Sequence, residues 1–496
     1  MDEPKIDALS ADAAAMADYF KSIDAILGGI KTMRAAGREY LPKFRDETGE
    51  AYDERLSLSR MTNIFSDIVE NLAQRPFSEP VVVSEESVSP EIAELCKNID
   101  GSGSSLHKFA GETFFNAIAY SVEWILVDYP KGLGPKATRA QEKQAGLRPY
   151  WARYAATDLL EAKTAMIGGK EEFVCVRLVE EPSPEGNRRV RKLCRDELGG
   201  GAYGPARWEL WQHDPEATAK GAEWRLDGEG EISIGVIPLV PVLTGRRKGK
   251  TWKTTPPMQA AAELQVELYQ EESNLKSAST QTAFPMLAGN GVEPEMDDND
   301  KPVKLGTGPG VVLYGGEGGS WQVVEPSAAS LQFLANQIDR SKKDLRELGR
   351  QPLTAQSGNL TVITTAVAAE KGNSAVQAWA MNLKESLERC IAFTALWLKQ
   401  ADAEPVVHVT KDFDHSWDDT DSFGHVLTLR KNNEISREAV IHEAKRRRVL
   451  DKDYDPEADL EAMLDEIEDD DDDDDEIQGP PNDAEPDEIP PGDDGE

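Results

Sequence analysis

The sequence predicts an α+β chain, and three observations carry that reading. Apolar residues recur at helical spacing through the first 75 residues. From about residue 120 to 245, short apolar runs alternate with Gly and Asp turns, the pattern of successive strands. From Thr255 onward long helical patterns return, split by one segment rich in Gly and Pro.

Element by element, residues 8–75 read as helices in AAAMADYFKSIDAILGGI and YDERLSLSRMTNIFSDIVENLAQ, broken around YLPKFRDETG. A helix over 105–119 runs into the alternating strand VEWILVD. A basic loop, KGLGPKATRAQEKQAGLR, precedes the strand candidates EEFVCVRLVEE, ARWELWQHD, AEWRLDG and EISIGVIPLVPVL. Thr255 and two prolines then open a helix of nearly thirty residues with Leu264, Leu268, Leu275 and Ala278 at heptad-like spacing. In the Gly- and Pro-rich segment that follows, GVVLY and WQVV flank GGEGGS as a β-hairpin. Leu331, Leu334, Ile338, Leu345 and Leu348 mark the face of a second helix. Val376, Trp379, Leu383, Leu387, Cys390, Thr394 and Trp397 mark the third and longest. The two are separated by a loop of small and polar residues, uncharged from Gln351 to Ala369. A short strand PVVHVT and helices near 418–431, 435–447 and 456–467 complete the ordered part.

The net charge of −36 is concentrated at the C-terminus. Residues Asp451–Glu496 hold 24 Asp and Glu against one Lys, so the preceding 450 residues carry only −13. From Glu468, seven consecutive aspartates and few apolar residues predict a disordered acidic tail. Cys96, Cys175, Cys194 and Cys390 are scattered without a CxxC, which reads as free thiols in a reducing compartment. The first residues, MDEPKIDALS, have no basic-then-apolar leader, and the most apolar run, GVIPLVPVL, is too short to span a bilayer. The expectation is a soluble intracellular chain without a membrane anchor.

Candidate chemistry fails on spacing. GRRKGKT places three residues, not four, between its glycines and leads into WKTTPP rather than a helix, so a phosphate cradle would not close. DKDYDPEADLEA imitates a calcium loop but has Pro456 at the glycine position and Ala462 at the bidentate glutamate position. His415 and His425 with Asp418, Asp419 and Asp421 match no ligand spacing. No GxSxG, HExxH or paired Cys/His arrangement occurs. The sequence therefore predicts no enzyme, no cofactor and no metal.

One resemblance runs through much of the chain. Tyr40, Leu41 and Pro42, then Tyr52 and Arg55, then an Asn-containing helix reaching Arg75-Pro76, resemble the opening of the tailed-bacteriophage portal-protein family. Further matches in order are NIDGSGSSLHKFAGETFFNAIAY with ILVDYP, RPYWARY, IPLVPV, AVAAEKGNSAVQAWAMNLKESLERCIAFTALWL, and VTKDFDHSWDD with NNEISREAVIHEAKRRRVL. The resemblance covers roughly residues 25–465, and departs from the family pattern at Tyr120-Ser121, where a glycine is expected.

The resemblance implies a portal-like ring subunit: a mixed α/β wing over 1–254, stem helices over 255–282 and 326–349, and a strand-hairpin clip over 283–325 between them. A channel loop over 350–364, a long kinked wing helix over 365–400, a C-terminal wing and helical crown over 401–467 and the tail over 468–496 follow. It implies a homododecamer at one capsid vertex of the virion, assembled in the host cytoplasm, through which double-stranded DNA passes in packaging and ejection. The implied partners are the terminase large subunit, head–tail adaptor and neck proteins, the major capsid protein and a scaffold, with no membrane. The expected channel-loop residues are Gln351, Thr354, Gln356, Ser357, Gly358, Asn359 and Thr361, whose lack of charge suits a low-friction liner. Lys343, Arg346 and Arg350, at i, i+3 and i+7, form a basic stripe facing either the channel DNA or acidic groups of a neighbouring subunit. Tyr314, Gly315, Gly316, Glu317, Gly318, Gly319, Ser320 and Trp321 form the clip hairpin expected to dock the motor or adaptor. Another virion ring such as a head–tail adaptor, or an acidic-tailed assembly or chaperone protein that binds basic partners, is the alternative. The tail either repels DNA, captures a basic partner, or only aids solubility.

Overall fold

The computed structural model describes residues 5–130, 141, 144–217, 223–283, 286–292, 318–324, 328–349, 362–400, 403–410, 420–432, 434–446, 449–450 and 454–460. The chain divides into two compact units, residues 1–413 and 414–496.

In the first unit, helices α1 (Ala11–Leu27), α2 (Gly29–Ala36), α3 (Gly49–Leu58) and α4 (Ile64–Gln74) occupy the N-terminal part, with the break where YLPKFRDETG predicts it. Each longer helix starts on a residue that can accept an orphan N–H. Ser10 takes Ala13 N at 3.2 Å, Thr48 takes Ala51 N at 3.1 Å and Asn63 takes Ser66 N at 3.1 Å. Strand β1 (Val82–Val83) precedes α5 (Pro90–Leu95) and α6 (Leu106–Tyr120).

Strands β2 (Val122–Asp128), β3 (Tyr150–Tyr154) and β9 (Leu239–Leu243) make an antiparallel sheet in the order β3-β2-β9. VEWILVD, read as an alternating strand, is buried on both faces. Ile125 and Val127 pack with Phe109, Phe114 and Leu383, while Val122, Trp124 and Leu126 pack with Phe173, Val176 and Leu193. A central strand covered twice has no solvent side on which to place polar residues. Pro241 sits on edge strand β9, the position a residue without an N–H tolerates. The outward carbonyls there are used by a later helix: Ser386 Oγ donates to Pro241 O at 2.9 Å and Asn382 Nδ2 to Leu243 O at 3.1 Å.

The second sheet is an antiparallel meander of five strands, β4 (Leu159–Ile167), β5 (Lys170–Glu180), β6 (Arg189–Gly199), β7 (Ala202–His213) and β8 (Trp224–Glu231). Three of these are expected; β4 and β6 are not, because their alternate positions carry charge. Register sets Ala162, Val176, Leu193, Trp208 and Gly230 side by side on the inner face. The Trp208 indole lies over Gly230 so closely that a Cβ there would sit 2.8 Å from Nε1. β10 (Arg246–Arg247) and β11 (Thr254–Thr255) form a small hairpin from GRRKGKT.

Three long helices follow, α7 (Gln259–Ala283), α8 (Ala328–Leu348) and α9 (Val362–Trp397), with β12 (Met286–Asn290) and β13 (Ser320–Val324) between the first two. The apolar face read from α9 is the buried one: Val376, Leu383, Leu387 and Cys390 are fully enclosed. Thr394, read on that face, is buried too because its hydroxyl accepts from Trp151 Nε1 at 2.9 Å and donates to Cys390 O. β14 (Val407–His408), from PVVHVT, returns to pair with β1.

The second unit contains α10 (Thr420–Lys431) and α11 (Arg437–Arg446), which pack together, and a helical turn at 456–460. The tail expected to be disordered, and most of the histidine–aspartate cluster near 415–421, lie outside the described residues.

Candidate functional site

α7 and α8 fold back on each other, and β12 pairs antiparallel with β13 where they meet, from Met286 opposite Val324 to Asn290 opposite Ser320. Ile338 and Leu345 of α8 bury against the core that also holds Leu268 of α7. Polar ties fix the register of the pair. Gln337 Nε2 and Ser341 Oγ both donate to Glu271, and Lys342 Nζ lies 2.8 Å from Glu272.

Glu272 faces two ways. Besides Lys342 it accepts Thr62 N and Thr62 Oγ1, both at 2.7 Å, so a buried carboxylate is satisfied from the loop before α4 as well as from α8. Gln265, also buried, caps α4 from outside: its Oε1 accepts Ile64 N at 2.9 Å and Phe65 N at 3.0 Å, and its Nε2 donates to Thr62 O. The heptad-like reading of α7 found the apolar seam but not these two residues. A polar side chain on a seam reads as an interruption until the chain that needs it is placed beside it.

The Tyr40, Leu41, Pro42, Tyr52 and Arg55 pattern is a physical unit fastened to α7. Arg55 is buried; it bonds both carboxylate oxygens of Glu47 at 2.8 Å, Pro42 O at 2.8 Å and Asn274 Oδ1 at 3.1 Å. Its guanidinium stacks over Phe44, 4.3 Å from the ring centre. Gln270 Nε2 donates to Tyr40 O at 2.9 Å. The Arg55 hydrogen bonds hold the Glu47 carboxyl below the usual carboxylate range.

Of the expected basic stripe, Lys343 is exposed on α8. Arg346 is exposed and lies 3.1 Å from Asp67 of α4 in the same chain. Arg350 and the channel-loop residues Gln351, Thr354, Gln356, Ser357, Gly358, Asn359 and Thr361 lie outside the described residues. The end of α8 is fixed nonetheless: Gly349 passes so near Ile68 that a Cβ would come within 2.5 Å of it.

Of the expected clip hairpin, Tyr314, Gly315, Gly316 and Glu317 lie outside the described residues, as does the strand read in GVVLY. Gly318 has the positive φ of 84° that suits a glycine in a turn, Ser320 and Trp321 begin β13, and Gly319 lies between. The partner seen for WQVV is MLAGN, with the Trp321 ring against Gly289.

GRRKGKT is a tied surface hairpin. Arg247 reaches both Glu171 oxygens at 3.1 Å and stacks 3.9 Å from the centre of the Trp252 ring. Beside it, Phe173, Asn382, Glu385 and Arg389 line a cleft of about 230 Å³. Two guanidinium groups in the cleft face two carboxylates, which leaves it without net charge. Among the described residues no cluster of three or more His, Cys, Asp or Glu side chains could hold a metal ion, and no helix is long and apolar enough to cross a membrane.

The family described as a domain of unknown function, DUF4055, matches residues 257–398, the span from α7 to the end of α9. No curated protein matches the chain. Among solved structures, a chain in the neck of a native GTA particle computed with C12 symmetry is similar at 11% identity and a TM-score of 0.40, covering 76% of this chain and 87% of that one. A chain in the virion of a native gene transfer agent particle is similar at 12% identity and a TM-score of 0.38, covering 83% and 97%.

Proposed function

We propose that the chain is the repeating subunit of a portal ring, a channel at one capsid vertex through which double-stranded DNA is packaged and ejected. The observation that carries this reading is the helix, strand pair, helix and long-helix order from Gln259 to Trp397, bolted to an α+β body by Arg55, Gln265 and Glu272. A subunit that lines a channel under load needs its projecting helix pair rigidly joined to the body. Buried, fully bonded polar groups provide that stiffness where an apolar seam alone would allow sliding.

In this reading α7 and α8 are the two stem helices, the paired strands begin the clip, and residues 350–364 hold the channel loop. The ring is a homododecamer, the clip meets the terminase large subunit during packaging and adaptor or neck proteins afterwards, and the body meets the major capsid protein. The chain supplies no motor; energy for packaging comes from the partner ATPase.

Negative-stain imaging of the purified full chain tests the reading. Rings with a central hole are expected. A monodisperse monomer or dimer at micromolar concentration would remove the portal assignment and favour an acidic-tailed assembly protein.

A further inference from the structure

The outer face of the five-stranded sheet carries two cross-strand rows. Lys163, Cys175, Cys194, Arg207 and Glu231 lie side by side in one, and Glu161, Arg177, Lys192, Glu209 and Glu229 in the next. Ion pairs bind these rows: Arg177 to Glu161 at 3.0 Å, Lys163 to Glu161 at 2.8 Å and Lys192 to Glu209 at 3.3 Å. The two thiols are the only uncharged members of either row, and they face each other on neighbouring antiparallel strands.

Directly opposed residues in an antiparallel pair have Cα atoms about 4.5–5.5 Å apart, inside the span of roughly 4.4–6.8 Å that a disulfide bridges. Both thiols are free, Cys194 buried and Cys175 half-buried. Cys175 Sγ lies 3.7 Å from Glu161 Oε2 and Cys194 Sγ 3.9 Å from Glu209 Oε1, so each sulfur sits on the charged face beside the neighbouring row. Cys390 is enclosed in the helical core, and Cys96 packs against that same core.

We propose that Cys175 and Cys194 form a reversible cross-strand disulfide that pins β5 to β6 when the chain meets oxidised glutathione or an equivalent low-molecular-weight disulfide. The more exposed Cys175 loses its proton to solvent and attacks one sulfur of the disulfide, expelling a glutathione thiolate. The Cys194 thiolate then attacks the Cys175 sulfur of the mixed disulfide and expels the second. Two protein thiols are oxidised, one glutathione disulfide is reduced to two glutathiones, and the released protons protonate the leaving thiolates.

The surroundings set the rate. Lys163 and Lys192 face Cys175, and Lys192 and Arg207 face Cys194, favouring thiolates; Glu161, Glu209 and Asp196 oppose them. Burial is the largest effect and pushes the Cys175 thiol up to about 11 and that of Cys194 upward. Exchange is therefore slow at neutral pH and quickens as the thiolate fraction grows. Such a chain folds with free thiols in a reducing cytoplasm and gains a staple in an oxidising medium.

The test equilibrates the full chain with glutathione redox mixtures at about pH 8.5, quenches with acid, alkylates and maps peptides. The expected product is a Cys175–Cys194 linked peptide, with an intact-mass loss of about 2 Da that a dithiol reductant reverses. The link should vanish in Cys175→Ser and in Cys194→Ser, persist in Cys96→Ser and Cys390→Ser, and form about tenfold faster per pH unit below the thiol pKa. Recovery of all four alkylated thiols in mixtures that fully oxidise a dithiol peptide would overturn the proposal. So would glutathione carried singly on Cys175 or Cys194 without the cross-link.

Discussion

The Ser121 hydroxyl lies 2.5 Å from that of Thr254, joining the turn between α6 and β2 to the strand that leads into α7. Ser121 is fully buried at φ 74°, a left-handed conformation that normally calls for glycine, and its carbonyl accepts Thr244 N and Gly245 N. The side chain that strains the backbone also makes the tie, and its Cβ lies where a Cβ on Gly245 would come within 2.8 Å. Ser121→Ala keeps the strain and loses the bond, so it should cost about 1–3 kcal/mol. Ser121→Gly relieves roughly 1 kcal/mol of strain and should cost less. Denaturant midpoints of the two variants check the order; Gly below Ala would refute it.

The Arg55–Glu47 pair gives a second prediction. Arg55→Met leaves a buried carboxylate without its cation and should destabilise by about 3–5 kcal/mol, whereas Arg55→Met with Glu47→Gln should recover part of that loss. The pH dependence follows from the depressed Glu47 carboxyl. Its contribution is present above the unfolded glutamate value of about 4.3 and is lost as pH falls through the lower folded value. Urea midpoints of wild type and Glu47→Gln should therefore converge on acidification; a gap that stays constant down to the acid transition would show that the pair does not titrate.

These anchors mark what the sequence could and could not reveal. The buried face of α9 was legible because one helix presents one stripe and each apolar residue reports independently. Strands β4 and β6 were not, since Glu161 of β4 and Lys192 of β6 find partners on neighbouring strands, in Arg177 and Glu209. Gln265 and Glu272 went unseen for the same reason: the N–H groups they satisfy belong to residues about two hundred positions earlier. In the candidate site the spacing of Lys343 and Arg346 was legible along α8, but the Asp67 partner of Arg346 had no local signal.

Glu123 supplies a prediction of opposite sign. Its carboxyl is 1% exposed, Oε1 accepts Asn116 Nδ2 at 3.0 Å, and burial pushes it up to about 8. A carboxyl raised in the folded state favours folding fully only below the unfolded value of about 4.3, and that advantage is lost as pH rises toward the folded value. Glu123→Gln, a neutral mimic, should match wild type near pH 5 and exceed it in melting temperature near pH 9. Equal melting temperatures at both pH values would sink the assignment.

The last prediction bears on the proposed channel. Asp67 lies 3.1 Å from Arg346 and offsets one charge of the α8 stripe, while Lys343 stands exposed one turn away. As a surface pair the interaction contributes only about 0.2–1 kcal/mol, so removing it should leave the fold intact. Its effect on DNA should be larger, because each cation that neutralises a phosphate releases a counterion, and a ring multiplies the effect. Asp67→Asn should tighten retention of double-stranded DNA by assembled rings and steepen its salt dependence. Lys343→Gln should weaken retention and flatten the salt slope by about one unit for each phosphate that is no longer neutralised. Arg346→Gln should resemble Lys343→Gln but with a smaller change, since Asp67 already screens that charge. If all three variants retain DNA alike while ring assembly shifts with salt, the stripe faces a neighbouring subunit and the loop beyond Arg350 alone meets the DNA.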